Sequence, residues 1–586
     1  MLSQNEGGHT MQQKRALLLS LIGGTVPFYV RGIAMEQSRV ELEHYSLYTS
    51  PFFIDLFSIS KSRVLAFFLL LAGLYLAYMV LKKRLHIPMN PMLLFPVAFM
   101  AIVGLTTLTS KYSEIVPIGF SERYEGAQVY VYYCMLIVLS GILLQNRQDV
   151  YAVMRGIGIG SIPVTVIAFL QTMDIFPITS TRLEPFMFGL NNPVSQGAIA
   201  KYLETHRTFR EGFDFASTTL YNSNYYGVYS AVVLFVALGL FTMSKSRKGK
   251  LFSAVLVTVN FTGLLFSGSK AGVYMVLFFY ILSCFLSLVE KSRKNLLHYG
   301  VLAGVMLIAF VAINTYSGGR VANRFFNVPT KSLTMDEEEG VSQSGFLLLQ
   351  SIDIGEDRTV LSNGQDNVVI KNSDQGLVLA NEEELIGEWQ YEYIDDVMKL
   401  SIQGHRAFLL ALDDGRVGVI GPKGIVDAVP EPQPMLMNGY FLSSRGYIWS
   451  KVLPMIRERL WLGHGADTLA IYHPADDVIN AFNYTSRTTS IAVNPHSLYL
   501  LLTFNFGLVG LFVFLIIVGV PLVRLLIQYI KNPKKRLYIR SIATPVVVFL
   551  ALGLSNDTII GTGVILYLLI GVLYARTEDE KEVLMD

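Results

Sequence analysis

The sequence predicts an all-α polytopic membrane bundle of about 12 transmembrane helices with an extracytoplasmic β-rich insertion, and three observations lead there. Hydrophobic residues make up 52% of the 586 residues and charged residues only 16%, with a mean hydropathy of +0.44. Soluble domains carry about 25% charged residues, so this composition belongs in lipid. The apolar residues are gathered into runs of roughly 17 to 25, the length that crosses a bilayer as a helix. Between the runs, Lys and Arg recur in every second loop, the pattern left when basic loops are retained on the cytoplasmic side. The net charge of +2 gives no support to a nucleic-acid partner.

Nine apolar runs come first, near 15 to 31, 64 to 81, 92 to 109, 127 to 144, 155 to 172, 225 to 243, 251 to 267, 271 to 289 and 297 to 315. Three more lie near 497 to 526, 541 to 555 and 558 to 575, and the first and last two of the twelve are marginal in length. The basic loops hold Lys14-Arg15, Lys82-Lys83-Arg84, Arg147, the stretches 245 to 250 and 291 to 294, and the stretch 524 to 540. This alternation predicts a multi-pass cell-membrane protein with both termini cytoplasmic. The first run has a basic flank like a signal peptide, but it heads a long array and is read as retained. Cys134 and Cys284 both fall inside spans, so neither a disulfide framework nor a thiolate metal site is expected.

The remaining loops are expected outside: 32 to 63, 110 to 126, 173 to 224, a short turn at 268 to 270, and the long segment 316 to 495. The chain thus divides into a first bundle (1–315), an outer segment (316–495) and a C-terminal set of spans with a cytoplasmic tail (496–586). From about 344 to 428 the outer segment reads as short alternating runs, such as Asn367-Val368-Val369-Ile370-Lys371, separated by turns such as Asn363-Gly364. The acidic stretch around Asp336-Glu337-Glu338-Glu339 reads as a solvated lead-in. From about 441 to 460, Ile448, Trp449, Val452, Leu453, Ile456 and Leu460 recur at helical spacing opposite Lys451, Arg457 and Glu458. That pattern predicts an amphipathic helix lying on the outer interface, with Arg445 at its start.

After this helix comes the glycine-containing loop Leu462-Gly463-His464-Gly465-Ala466-Asp467, and then Asn494-Pro495-His496-Ser497-Leu498-Tyr499 runs into a span containing Gly507 and Gly510. His496 falls at the outer mouth of that span. An imidazole titrates near neutral pH and can take a proton where lipid-borne substrates arrive. His464, Asp467, His473, Asp476 and Asp477 are all potential ligands, but their spacing fits no metal signature.

The ordered set of Asn222-Ser223-Asn224, Ser267-Gly268-Ser269-Lys270-Ala271-Gly272, Arg445 to Trp449, the Gly463-His464-Gly465 loop and the His496 segment resembles the O-antigen ligase and Wzy-type polysaccharide polymerase superfamily, across roughly residues 220 to 526. The resemblance implies a metal-independent, cofactor-free membrane glycosyltransferase. Its donor would be a polyprenyl diphosphate-linked glycan and its acceptor a glycan, lipid or wall polymer, met at the membrane lipid. It assigns His496 and Arg445 to catalysis and Lys270, Arg210 and Asn224 to substrate binding. Sidedness agrees, because nucleotide sugars and ATP are not supplied outside, so a donor there arrives already activated on a lipid. Two features depart from the family: Lys270 stands where it usually carries arginine, and the β-rich insertion is larger than its usual outer loop. Lysine keeps the charge but lacks the bidentate fork that fits phosphate. The competing classes are a transporter or lipid-linked glycan flippase and a receptor that uses the insertion.

Overall fold

The structure is a computed structural model that describes residues 15–44, 52–83, 90–173, 175, 215–326, 348–355, 358–364, 367–373, 376–379, 389–394, 397–402, 406–413, 416–421, 424–426, 428–474, 476–485, 488 and 491–575. The chain begins with a short apolar helix, α1 (Arg15–Thr25), then β1 (Ile33–Glu36), α2 (Arg39–His44) and β2 (Phe52–Asp55). The long helices follow: α3 (Ile59–Leu81), α4 (Leu94–Thr109), α5 (Ala127–Leu143), α6 (Arg147–Thr172), α7 (Ser223–Met243), α8 (Arg247–Ser267), α9 (Lys270–Val289) and α10 (Arg293–Tyr316). A short helix, α11 (Arg320–Phe326), ends this half.

Eight helices among the described residues are long and apolar enough to cross a membrane: α3, α4 with the turn before it, α6 to α10, and Leu498–Lys531. Three apolar helices are shorter: α1, α5 and Ile560–Leu573. At 1.5 Å per residue a 17-residue helix such as α5 is about 25 Å long, against a hydrocarbon core of about 30 Å. Sequence runs that reach full span length thus include non-helical residues at their ends.

Burial separates axis from rim. The most apolar 18-residue window of α7 is 89% buried, whereas that of α10 is 22% buried. Small residues let the neighbours of α7 approach its backbone. A Cβ on Gly239 would meet the Ser541 carbonyl at 2.8 Å, and one on Gly227 would meet the Ser269 Cβ at 2.2 Å. By contrast Gly300 and Gly304 of α10 face open space, beside exposed Leu297, Leu307 and Ile308. That apolar, unpacked face suits lipid.

Between residues 351 and 426 the described residues form nine antiparallel strands. Strands β3 (Ser351–Ile354), β4 (Arg358–Ser362), β5 (Asn367–Ser373) and β6 (Gly376–Leu379) make one meander. Strands β7 (Trp389–Ile394), β8 (Val397–Ile402), β9 (Arg406–Asp413), β10 (Arg416–Gly421) and β11 (Gly424–Val426) make a second. The two meet where Thr359 donates to the Val417 carbonyl, at 2.5 Å. Ile352, Leu361, Val368 and Ile370 of the first sheet and Leu410, Val417 and Val419 of the second share an apolar cluster.

The sheets lead into α12 (Phe441–Glu458), α13 (Leu469–Tyr472) and α14 (Val478–Thr485), then α15 (Leu498–Lys531), α16 (Arg536–Leu552) and α17 (Ile560–Leu573). Val478, Ile479 and Phe482 of α14 complete the sheets' cluster. The Asn483 amide holds both the N–H and the C=O of Leu349, at 3.0 and 2.9 Å, so the strands are latched to the helical part by main-chain bonds.

The helix expected at about 441–460 is present, but two details of the expectation are corrected. Leu442, Ser443 and Ser444 are left-handed (φ 47, 58 and 67°), so the regular turns begin only at Arg445. Lys451 is not on a wet face: it is buried and paired with Asp477, and Gln433 accepts from it at 3.4 Å. A helix carrying a buried lysine is packed into the outer segment rather than floated on lipid, and Asp477 on a distant stretch is the partner that periodicity could not reveal.

Candidate functional site

The loop before α15 carries His496, and its geometry is imposed by the residues on either side. Pro495 presents its carbonyl to the Trp449 indole N–H of α12, at 2.8 Å. Asn494 donates its side-chain amide to the Tyr225 hydroxyl of α7, at 2.9 Å. The Leu498 N–H donates to the Gly553 and Asn556 carbonyls, at 2.8 and 3.0 Å. Three separate elements therefore fix a single turn, and His496 within it takes a left-handed φ of 49°. A left-handed histidine is uncommon and persists only where its surroundings enforce it. The residue as a whole is partly exposed, while its imidazole feels strong desolvation.

Beneath this turn lies a buried charge cluster. Arg123 pairs with Glu125 at 2.5 Å, Asp467 at 3.1 Å and Asp557 at 3.3 Å, and donates to the Thr558 carbonyl at 2.9 Å. The Tyr225 hydroxyl donates to Asp557 at 2.6 Å, and the Tyr133 hydroxyl to Glu125 at 2.7 Å. Asp467 accepts the Phe120 and Glu125 N–H groups, both at 3.0 Å. Burial pushes Glu125 up to about 7 and Asp467 up to about 6, although Arg123 pulls both down. Burial also opposes the Arg123 charge, but the three carboxylates outweigh it and the guanidinium stays ionised. Breaking such a network strands a buried charge, so its members hold the loops at 110–126, 462–467 and 553–558 in one arrangement.

The charges meet at His496. Burial lowers its imidazole below the ordinary value, Asp557 pulls it back up, and Arg445 and Arg123 push it down further. Arg445 is half-buried; it donates to the Leu442 carbonyl at 2.8 Å and to the Asn556 side-chain oxygen at 3.4 Å. Its Nε is buried without a partner among the described residues. Burial lowers its basicity, but arginine starts so high that it remains a cation. The result is an imidazole of lowered basicity within the fields of a carboxylate and two guanidinium groups, chemistry that suits taking a proton beside an anion.

The glycine loop before α13 has a separate task. Helix α15 is broken at Gly507 (φ +67°, ψ −173°), and residues of the 460–465 stretch supply the bonds it lacks. The His464 and Gly465 N–H groups donate to the Phe504 and Asn505 carbonyls at 2.8 and 3.0 Å, and the Leu508 N–H donates to the Leu460 carbonyl at 2.8 Å. Non-helical backbone at this depth is tolerated only where protein satisfies it. His464 is occupied in this packing: its Nε2 lies 2.8 Å from the Met455 carbonyl and its ring stacks on Phe504 at 4.7 Å.

The helix that carries Arg445 and the turn that carries His496 are thus bonded to each other and to Asn556. Lys270 is the first residue of α9, half-buried, behind Ser269, which caps the helix by accepting the Gly272 N–H at 3.2 Å. Asn224 is exposed in the first turn of α7, and the cap of that helix is Asn222, which accepts the Tyr225 N–H at 3.1 Å. Arg210 lies outside the described residues. Sequence reading missed Asp557, Arg123 and Tyr225. Asn556-Asp557 at the mouth of the last apolar run was a visible signal, because ionisable residues at span ends are seldom idle. No signal pointed to Arg123, whose partners are up to 435 residues away.

No curated protein matches the chain. The family model described as O-antigen ligase matches residues 441–515, which run from α12 through His496 and past the break in α15, and over this segment the chain is similar to O-antigen ligase-like membrane proteins.

Proposed function

We propose that the protein is a membrane glycosyltransferase that moves a glycan from a polyprenyl diphosphate carrier to an acceptor hydroxyl on the outer face of the membrane, without a metal. In this reading the chain crosses the membrane twelve times, α1, α5, α16 and α17 being the shorter crossings, with both termini cytoplasmic. The nine strands then form an extracytoplasmic insertion latched beside the site by Asn483. One observation carries the proposal: within the segment similar to O-antigen ligases, the turn that holds His496 is bonded to the Arg445 helix through Trp449 and to Asn556, which Arg445 also bonds.

The acceptor oxygen attacks the anomeric carbon and forms the new glycosidic bond. The bond from that carbon to the diphosphate oxygen breaks, and its electron pair leaves with the lipid diphosphate. The acceptor proton passes to the neutral His496 imidazole, and the Asp557 carboxylate balances the imidazolium that results. Arg445 and Lys270 meet the charge that grows on the leaving diphosphate. Asn224, exposed at the head of α7, is assigned to sugar hydroxyls and Arg210 to the diphosphate or glycan, both by resemblance alone.

Purified protein in nanodiscs, given a polyprenyl diphosphate glycan and a panel of glycan, lipid and wall-polymer acceptors, tests this reading. Free lipid diphosphate and extended acceptor should accumulate in equal amounts. Movement of the donor across the bilayer with no transfer to any acceptor would replace the enzyme reading with transport.

A further inference from the structure

The turn between α8 and α9 is covered by a helix whose arginine has no part in the site described above. Helix α11 is seated by Val321 and Phe325, both buried against Leu265, and by the Tyr274 hydroxyl, which donates to the Phe325 carbonyl at 2.9 Å. This seat carries Arg324 over the turn. Gly268 is left-handed there (φ +60°) and its carbonyl accepts from the Arg324 Nε at 3.3 Å. The guanidinium carbon lies 4.9 Å from the centre of the Phe215 ring, which fixes the plane of the fork. A side chain at Gly268 would collide with that same ring, 2.1 Å from its Cδ1, so the glycine is required for the arrangement.

Arg324 is nonetheless exposed. Its Nε is used within the protein, while among the described residues no carboxylate pairs with its two terminal nitrogens. An arginine held by Nε and stacked on an aromatic ring keeps its planar fork fixed in direction, so little freedom is lost when it binds. Lys270 stands two residues along from Gly268 and offers a single point charge. The same turn packs on the head of α7, where Ser269 meets Gly227, two residues past the Tyr225 that grips Asp557.

We infer that Arg324 is a diphosphate-binding residue, whose fork acts with the Lys270 ammonium to hold the two phosphates of the lipid carrier. This rests on the proposed function. A fork bonds two oxygens of one phosphate while the ammonium neutralises the other, so the pair discriminates a diphosphate from a monophosphate. Neither cation alone does so.

Binding of radiolabelled undecaprenyl diphosphate and undecaprenyl monophosphate to the full chain in nanodiscs tests this, with Arg324→Ala, Lys270→Ala and Arg445→Ala. Arg324→Ala should weaken diphosphate binding by roughly tenfold or more and monophosphate binding by less than about threefold. Lys270→Ala should show the same selective loss, because the two cations act as a pair. Equal loss for both lipids in Arg324→Ala would reduce Arg324 to a brace for the turn and overturn the inference. Unchanged diphosphate binding in Arg324→Ala, with loss in Arg445→Ala, overturns it while leaving the proposed function standing. No diphosphate binding by the parent protein overturns both.

Discussion

His496 is held by its chain neighbours: Asn494, Pro495 and Leu498 are each gripped by a different element, and among the described residues no bond to its ring is found. Because burial holds the imidazole below its ordinary value of 6.5, the neutral base should persist as pH falls to about that value. The transfer rate should be flat from pH 8 to about 6.5 and decline only below it. Asp557 is the neighbour that raises the imidazole, so Asp557→Asn should move the acid limb to lower pH and slow transfer roughly tenfold at every pH. A limb above pH 7 in the parent, or an upward shift in the variant, would remove His496 from the role of base. His496 and Arg445 were legible in the sequence because each sits in a short local motif. Asp557, Arg123 and Tyr225 were not, because long-range pairing within a buried network leaves no periodic trace.

At the scale of elements, most helices followed from hydropathy alone, since a span must satisfy its own backbone and therefore reads as a continuous apolar run. What hydropathy hid was where a helix stops being one. The break in α15 depends on Gly507, where a Cβ would strike the Trp461 carbonyl at 2.1 Å and the backbone takes φ +67°, ψ −173°. Gly507→Ala should cost about 1–3 kcal/mol from backbone strain alone. It should also weaken transfer, because the same break seats the 460–465 loop that leads to Asp467 and the charge cluster. Gly300→Ala, on the open face of α10, should change the melting temperature little, as a surface substitution without new contacts. Thermal melts of the two variants in the same detergent check the contrast. Equal melts would mean that the break is not fixed by packing. The strands at 351–426 were legible from alternation and turn residues, whereas Asn483 as their latch was not, being a lone asparagine on a short helix.

At the scale of the molecule, the helices form a scaffold around a buried axis, α7, whose head carries Tyr225 and contacts the Ser269 turn. Next to that head, α12 and the His496 loop are bonded to each other and to the 553–558 turn. Composition foretold a mostly helical scaffold with membrane-spanning helices. The convergence at the head of α7 needed contacts between residues more than 300 positions apart, such as Tyr225 with Asp557. The central claim is that this convergence makes His496 the base of a glycosyl transfer. The most direct test compares transfer from a polyprenyl diphosphate glycan by the parent and by His496→Ala, both inserted in nanodiscs and melting alike. The account predicts a loss of at least about a hundredfold with donor binding retained. A rate within about threefold of the parent would contradict it.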